Sequence, residues 1–172
     1  MIRWLGAAAL FLVCVAAGHV LALRAAPEFI MSRAMAAMAD RGVPLHGFVL
    51  LPRITPETQT VVRPSPDLAY SICRFDLAAA PGGIRVRAGA YDGMSSISVF
   101  DDQTVNIATE RVGAEPAEFI LTGQDAASAD PALPAIESGS ERGLILIRRL
   151  APTAAAYDRV RRAAQNDACE PL

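Results

Sequence analysis

The sequence predicts a mainly β protein: an antiparallel β-sandwich carried behind an N-terminal transmembrane helix. Three observations carry that expectation. The stretch WLGAAALFLVCVAAGHVLAL, Trp4 to Leu23, holds no formally charged residue and has Arg on either side. From Val43 onward the texture changes to short apolar runs, several of which alternate apolar and polar residues, the period of a half-buried strand. Between the runs, turn signals such as PGG (81–83), YDG (91–93) and FDDQ (100–103) recur at about 8–12-residue spacing, as in a sandwich.

The N-terminal segment decides the compartment. Twenty helical residues span about 30 Å, the thickness of a bilayer's hydrocarbon core. Trp4 suits the interface, and Arg3 with the amino terminus favours a cytoplasmic start, so the remainder is exported. The alternative is a cleaved signal peptide, with Val20 and Ala22 as a weak small-residue site. Signal-peptide apolar cores run about 7–15 residues, shorter than this one, which favours a retained anchor. Pro27 is expected to break the helix. EFIMSRAMAAMADRG then reads as a separate juxtamembrane helix closed by Gly42, with Met31, Met35 and Met38 on one face. Such a stripe suits core packing or membrane contact, or else a plastic binding face. The expected division is therefore an anchor over 1–26, a juxtamembrane helix over 27–42 and a β-domain over 43–172.

Within the β-domain the expected strands are GFVLL (47–51), TVVR (60–63), AYSICRF (69–75), IRVRA (84–88), SSISVF (95–100), TVNIAT (104–109), EFILT (118–122) and GLILIRRL (143–150). TGQDAASADPALPAIESGSERG (122–143) reads as a long exposed loop. After Pro152, Thr153 can cap a helix over TAAAYDRVRRAAQ, whose sparse apolar face is Tyr157, Val160 and Ala164. Outside the apolar segment, Cys73 and Cys169 are the remaining cysteines. On the exported side of a membrane they are a disulfide candidate that would tie the tail to a strand; the alternative is two free thiols.

Several function classes are excluded or unsupported. A net charge of −2 over 172 residues provides no basic face for nucleic acid. All sixteen basic residues are arginines, and these read as ordinary surface residues. Ser71, His46 and Asp76 could be assembled into a triad on paper, yet no G-x-S-x-G elbow frames a serine. His46, Cys73 and Cys169 lack paired metal-ligand spacing, and the acids lack the alternation of a calcium loop. No cofactor is expected. What remains is a set of polar residues near strand ends: Arg63, Asp67, Tyr70, Asp76, Asp101, Asp102, Asn106 and Arg148. Such residues can form a buried Arg–Asp network that fixes register, or can converge to grip a carboxylate or sugar.

VVRPSPDLAYSICRFDL (61–77) resembles the start of a bacterial family, the domain of unknown function 1254 (DUF 1254), whose pattern runs V-R-P-N-x-D-T-x-Y-S-x-x-x-x-D-L. Arg63, Pro64, Asp67, Tyr70, Ser71, Asp76 and Leu77 stand at matching positions, while Ser65 replaces Asn and Leu68 replaces Thr. In MSSISVFDDQTVNIATERVG, Asp102 and Asn106 fit a second family stretch. Glu110 and Arg111 depart from its usual turn, so the resemblance assigns no ligand role to Arg111. LILIRRL is similar to the segment before the family's last helix, with Arg148 and Leu150 matching. The resemblance covers roughly 43–165 and implies an immunoglobulin-like β-sandwich. Longer relatives carry a second β-domain (DUF 1214), and this chain ends before one could fit. The expectation is then a single-pass protein of the bacterial inner membrane with its C-terminal domain in the periplasm. It would be a non-catalytic interaction module whose companion domain is a separate polypeptide. The alternative is a small-molecule binder or hydrolase built on the Arg/Asp/Tyr cluster. RPSPD would be a rigid turn in which Asp67 satisfies backbone donors and Arg63 pairs with an acid across the sheet.

Overall fold

A computed structural model describes residues 2–55, 64–124, 126 and 129–172. The expected strand at 60–63, and Arg63 with it, lies outside the described residues.

Helix α1 (Ile2–Asp40) is 39 residues long and runs through Pro27. The expected break there does not occur. A proline inside a helix forfeits one backbone hydrogen bond and crowds the carbonyl four residues back. Here Ala25 and Ala26, strong helix formers, precede it, and the helix beyond is held by docking. The apolar half is fully exposed, with Trp4, Leu10, Phe11 and Leu21 all uncovered, and it is long and apolar enough to cross a membrane. Beyond Pro27 the environment changes: Met31 is buried, and Met35 and Met38 are half-buried. The expected methionine stripe is thus a packing face. Its end is a Schellman motif: Gly42 at φ +81° donates to Ala39 O (2.9 Å) and Val43 donates to Met38 O (3.0 Å).

The rest is β-rich. Strands β1 (Val49–Leu50), β2 (Leu68–Asp76), β3 (Ile84–Ala88), β4 (Ser95–Asp101), β5 (Asn106–Val112), β6 (Ala117–Gly123), β7 (Ala135–Ser138), β8 (Arg142–Leu150) and β9 (Ala168–Pro171) form two sheets. The five-stranded sheet, ordered β1-β2-β8-β4-β5, is antiparallel throughout; the four-stranded sheet is ordered β7-β6-β3-β9. One expectation fails here: β6 and β7 pair in parallel, so the second sheet is mixed. Parallel neighbours need a long crossover. The stretch read as an exposed loop supplies it and carries β7 at its far end.

One apolar core lies between the sheets. Phe75, Ile97, Val99, Ile145 and Ile147 meet Ile84, Val86, Phe119 and Leu121. Cys73 of β2 and Cys169 of β9 form a disulfide across it, with Cα atoms 6.6 Å apart and a sequence separation of 96. Helix α2 (Ala154–Ala164) closes one end of this body. Thr153 caps it as expected, its hydroxyl accepting from Ala156 N–H at 3.1 Å. Its buried residues Ala156, Tyr157, Val160 and Ala163 pack on Ala69, Tyr91 and Ala151.

Candidate functional site

The seven described members of the expected polar cluster do not converge. Tyr70 and Asp76 lie six residues apart on β2, about 20 Å along the strand. Asp67, Tyr70 and Arg148 belong to one end of the five-stranded sheet, since Tyr70 is paired with Arg148. Asp76, Asp102 and Asn106 belong to the other, where Asp76 is paired with Arg142 and Asp101 with Gly143.

At the second end the acids do turn and capping work. Asp76 accepts from Ala78 N–H (3.0 Å), capping the short 3-10 turn Leu77–Ala79. Asp101 Oδ1 accepts from Gln103 N–H (2.9 Å) and Val105 N–H (2.8 Å), closing the β4–β5 turn in which Thr104 has φ +64°. Asp102 accepts from the Gln103 amide (3.3 Å), and Asn106 is hydrogen-bonded to Thr109 Oγ1 (2.8 Å). His46 Nε2 sits 3.1 Å from the Asp76 backbone nitrogen rather than on a carboxylate, and Ser71 is buried with its hydroxyl unpartnered. These three residues therefore form no relay. A cavity of about 390 Å³ separates this end from α1 and is lined by Glu28, Met35, Arg74, Asp76, Asp102 and Arg142, among others. Its charges are of both signs, and Arg74 Nε already donates to Val43 O (2.9 Å).

At the first end, Asp67 is exposed and its carboxylate makes no hydrogen bond to a described residue. The expected backbone satisfaction by Asp67 is taken over by the main chain: Leu68 N–H donates to Ser65 O (3.2 Å), and Ala151 N–H donates to Asp67 O (2.7 Å). Tyr70 OH accepts from Ser65 N–H at 3.1 Å. Arg148 Nη2 donates to Ser98 Oγ (2.7 Å), and Ser98 and Thr109 hydroxyls are 2.8 Å apart. Arg148 Nε is buried without an acceptor. A second cavity, about 460 Å³, opens beside Arg148 and Arg111.

A buried Arg–Asp network does exist, built from residues the sequence reading passed over. Arg149 is 1% exposed, and its Nη1 and Nη2 donate to the two oxygens of Asp167 at 2.9 and 2.6 Å. Nη2 also donates to Gly89 O (3.0 Å), and Asp167 Oδ1 accepts from Gly89 N–H (2.9 Å). The network joins β8, the end of β3 and the α2–β9 turn. The available signal was parity: Ile145 and Ile147 face the core, so Arg149 must follow them inward. Because Leu144 and Leu146 are equally apolar, the parity could be read either way.

The outer face of the five-stranded sheet is the remaining feature. β8 is apolar on both sides, with Ile145 and Ile147 inside and Leu144 and Leu146 outside. Opposite Leu146 stand Ile72 of β2 and Ser98 of β4, and Val49 of β1 continues the row; Leu144 stands opposite Phe100. Leu144, Leu146, Ile72, Val49 and Phe100 are all half-buried.

Among proteins of known structure, the chain is similar to the VPA0106 protein from Vibrio parahaemolyticus, with 16% identity and a TM-score of 0.63 over 88% of this chain. It also matches a putative uncharacterized protein from Burkholderia cenocepacia at 14% identity and a TM-score of 0.44 over 76% of this chain. The chain spans 35% of the length of each. The first likeness is one of fold. No curated protein matches the sequence. The family described as "Protein of unknown function (DUF1254)" matches residues 47–171, the whole two-sheet body from the approach to β1 through β9. The chain belongs to the DUF1254 family.

Proposed function

We propose that this chain is a single-pass protein of the bacterial inner membrane whose periplasmic domain is a non-catalytic interaction module. In this reading residues 1–26 anchor it, 27–42 are the juxtamembrane continuation of the same helix and its end, and 43–172 form an immunoglobulin-like sandwich. The carrying observation is the doubly apolar β8. A sheet with apolar residues on both faces calls for cover on both. The second sheet covers the inner one; the outer row around Leu146 stays half-exposed and offers a protein-binding face. The partner is a separate β-domain protein of the DUF 1214 type, the companion that the family resemblance implies. A retained anchor is favoured over a cleaved leader because α1 does not stop with its apolar half but continues to Asp40 and docks through Met31. The reading as one small-molecule or hydrolase site loses support, since its described residues are divided between opposite ends of a sheet.

The test is capture of the tagged full chain from solubilised membranes, with Leu146→Glu compared with Arg87→Ser on the exposed side of β3. The reading expects a stoichiometric β-domain partner that Leu146→Glu loses and Arg87→Ser keeps. Retention of the partner by a folded Leu146→Glu variant would remove the outer row from the interface.

A further inference from the structure

We infer that the cavity beside β4 and β5 is a binding site for a carboxylate ligand with an apolar end. The cavity shares the outer face with the partner-binding row, but none of that row's apolar residues lines it. Strand register builds it: Arg148 of β8 and Arg111 of β5 both pair with Ser96 of β4, which lies between them. All three therefore share the outer face of the sheet, and the arginine Cα atoms are two strand spacings apart, about 10 Å. The short serine leaves open the space that both guanidinium groups can reach. The resulting cavity, about 460 Å³, is lined by Arg148, Ser96 and Arg111, with Leu68 and Met94 as its apolar wall.

Charge balance points to an anion. The chain as a whole is net acidic, yet no ion pair joins Arg111 or Arg148 to a described acid. Glu110 neighbours Arg111 in sequence but projects from the opposite face of β5, and Asp67 and Asp92 lie in exposed turns. Arg148 is pre-oriented: Nη2 is held by Ser98 Oγ, and Ser98 is in turn bonded to Thr109. A guanidinium held in place by Ser98, with a second one lining the same cavity and no described acid paired with either, is suited to a planar two-oxygen acceptor, and a carboxylate provides one. The apolar wall selects for a ligand that carries hydrocarbon beside the charge.

The experiment is calorimetric titration of the full chain in zwitterionic nanodiscs, with empty nanodiscs as blank. Sodium hexanoate is the probe, hexanamide the neutral match and inorganic phosphate the competing anion. The site predicts saturable binding of one hexanoate per chain, none of hexanamide and weaker binding of phosphate. Arg111→Gln, on an exposed edge strand, and Ser96→Leu, which fills the cavity without touching either charge, are each expected to weaken hexanoate about tenfold or more, roughly 1.4 kcal/mol. Equal binding of hexanamide, tighter binding of phosphate, or unchanged hexanoate binding in both variants would overturn the assignment.

Discussion

Asp167→Ala should be one of the most destabilising polar truncations in this protein. The Asp167 carboxylate is fully buried and receives three donors: Nη1 and Nη2 of Arg149, and the Gly89 N–H. Removing it leaves a guanidinium charge that is 1% exposed with only Gly89 O as acceptor. Breaking a buried pair from one side costs about 3–5 kcal/mol. Orphaning the Gly89 N–H adds about 1–3 kcal/mol. The sum, roughly 4–6 kcal/mol after allowing for non-additivity, is comparable with the whole stability of a typical domain. The double variant Arg149→Met/Asp167→Ala removes both charges and should cost less than Asp167→Ala alone. Pulse proteolysis of the full chain in urea is the suitable assay, because the single tryptophan, Trp4, lies in α1 and does not report on the β-domain. A loss under about 1 kcal/mol for Asp167→Ala, or a double variant that costs the sum of the singles, would refute the reasoning.

Three further outcomes follow from the geometry. Breaking the Cys73–Cys169 bridge, by reductant or by Cys169→Ser, should lower stability by up to about 4–5 kcal/mol, because it closes a loop of 96 residues. Alkylation of the native chain should label Cys14 alone without reductant, and labelling of all three cysteines would refute the bridge. Burial raises the Tyr157 phenol above its ordinary value, with Arg161 opposing and Asp158 assisting. The unfolded chain therefore ionises first, and stability should fall as pH rises through about 10 toward the folded value. Tyr157→Phe should lose about 1 kcal/mol with its 2.6 Å bond to Leu51 O and show a shallower alkaline decline; an unchanged slope would contradict the assignment. Asp67→Ala should change unfolding by less than about 0.5 kcal/mol, because its carboxylate touches no described donor; a larger loss would restore a capping role.

Much of the fold was legible because the local signals agreed. IRVRA gave β3 at its observed bounds, and Thr153 with Pro152 marked the start of α2. β7 and β9 were missed for a physical reason. AIES and ACEP have little β-propensity, and both are strands because longer neighbours, β6 and β3, offer them an edge. Pro27 misled because a single lost hydrogen bond does not end a helix that is docked beyond it. The candidate site was legible only in its residue types. Sequence proximity to strand ends could not say which end, and nine-residue strands place their two ends far apart. Arg149 was passed over because GLILIRRL is apolar on both faces, the same property that exposes the outer row.

Site-specific photocrosslinking in intact cells tests the central proposal most directly. A benzophenone side chain at position 146 sits on the outer row, and one at position 87 sits on the exposed side of the other sheet. The account predicts one dominant adduct from position 146, containing a β-domain protein of the DUF 1214 type, and none from position 87. No adduct from position 146, or the same diffuse products from both positions, would contradict it.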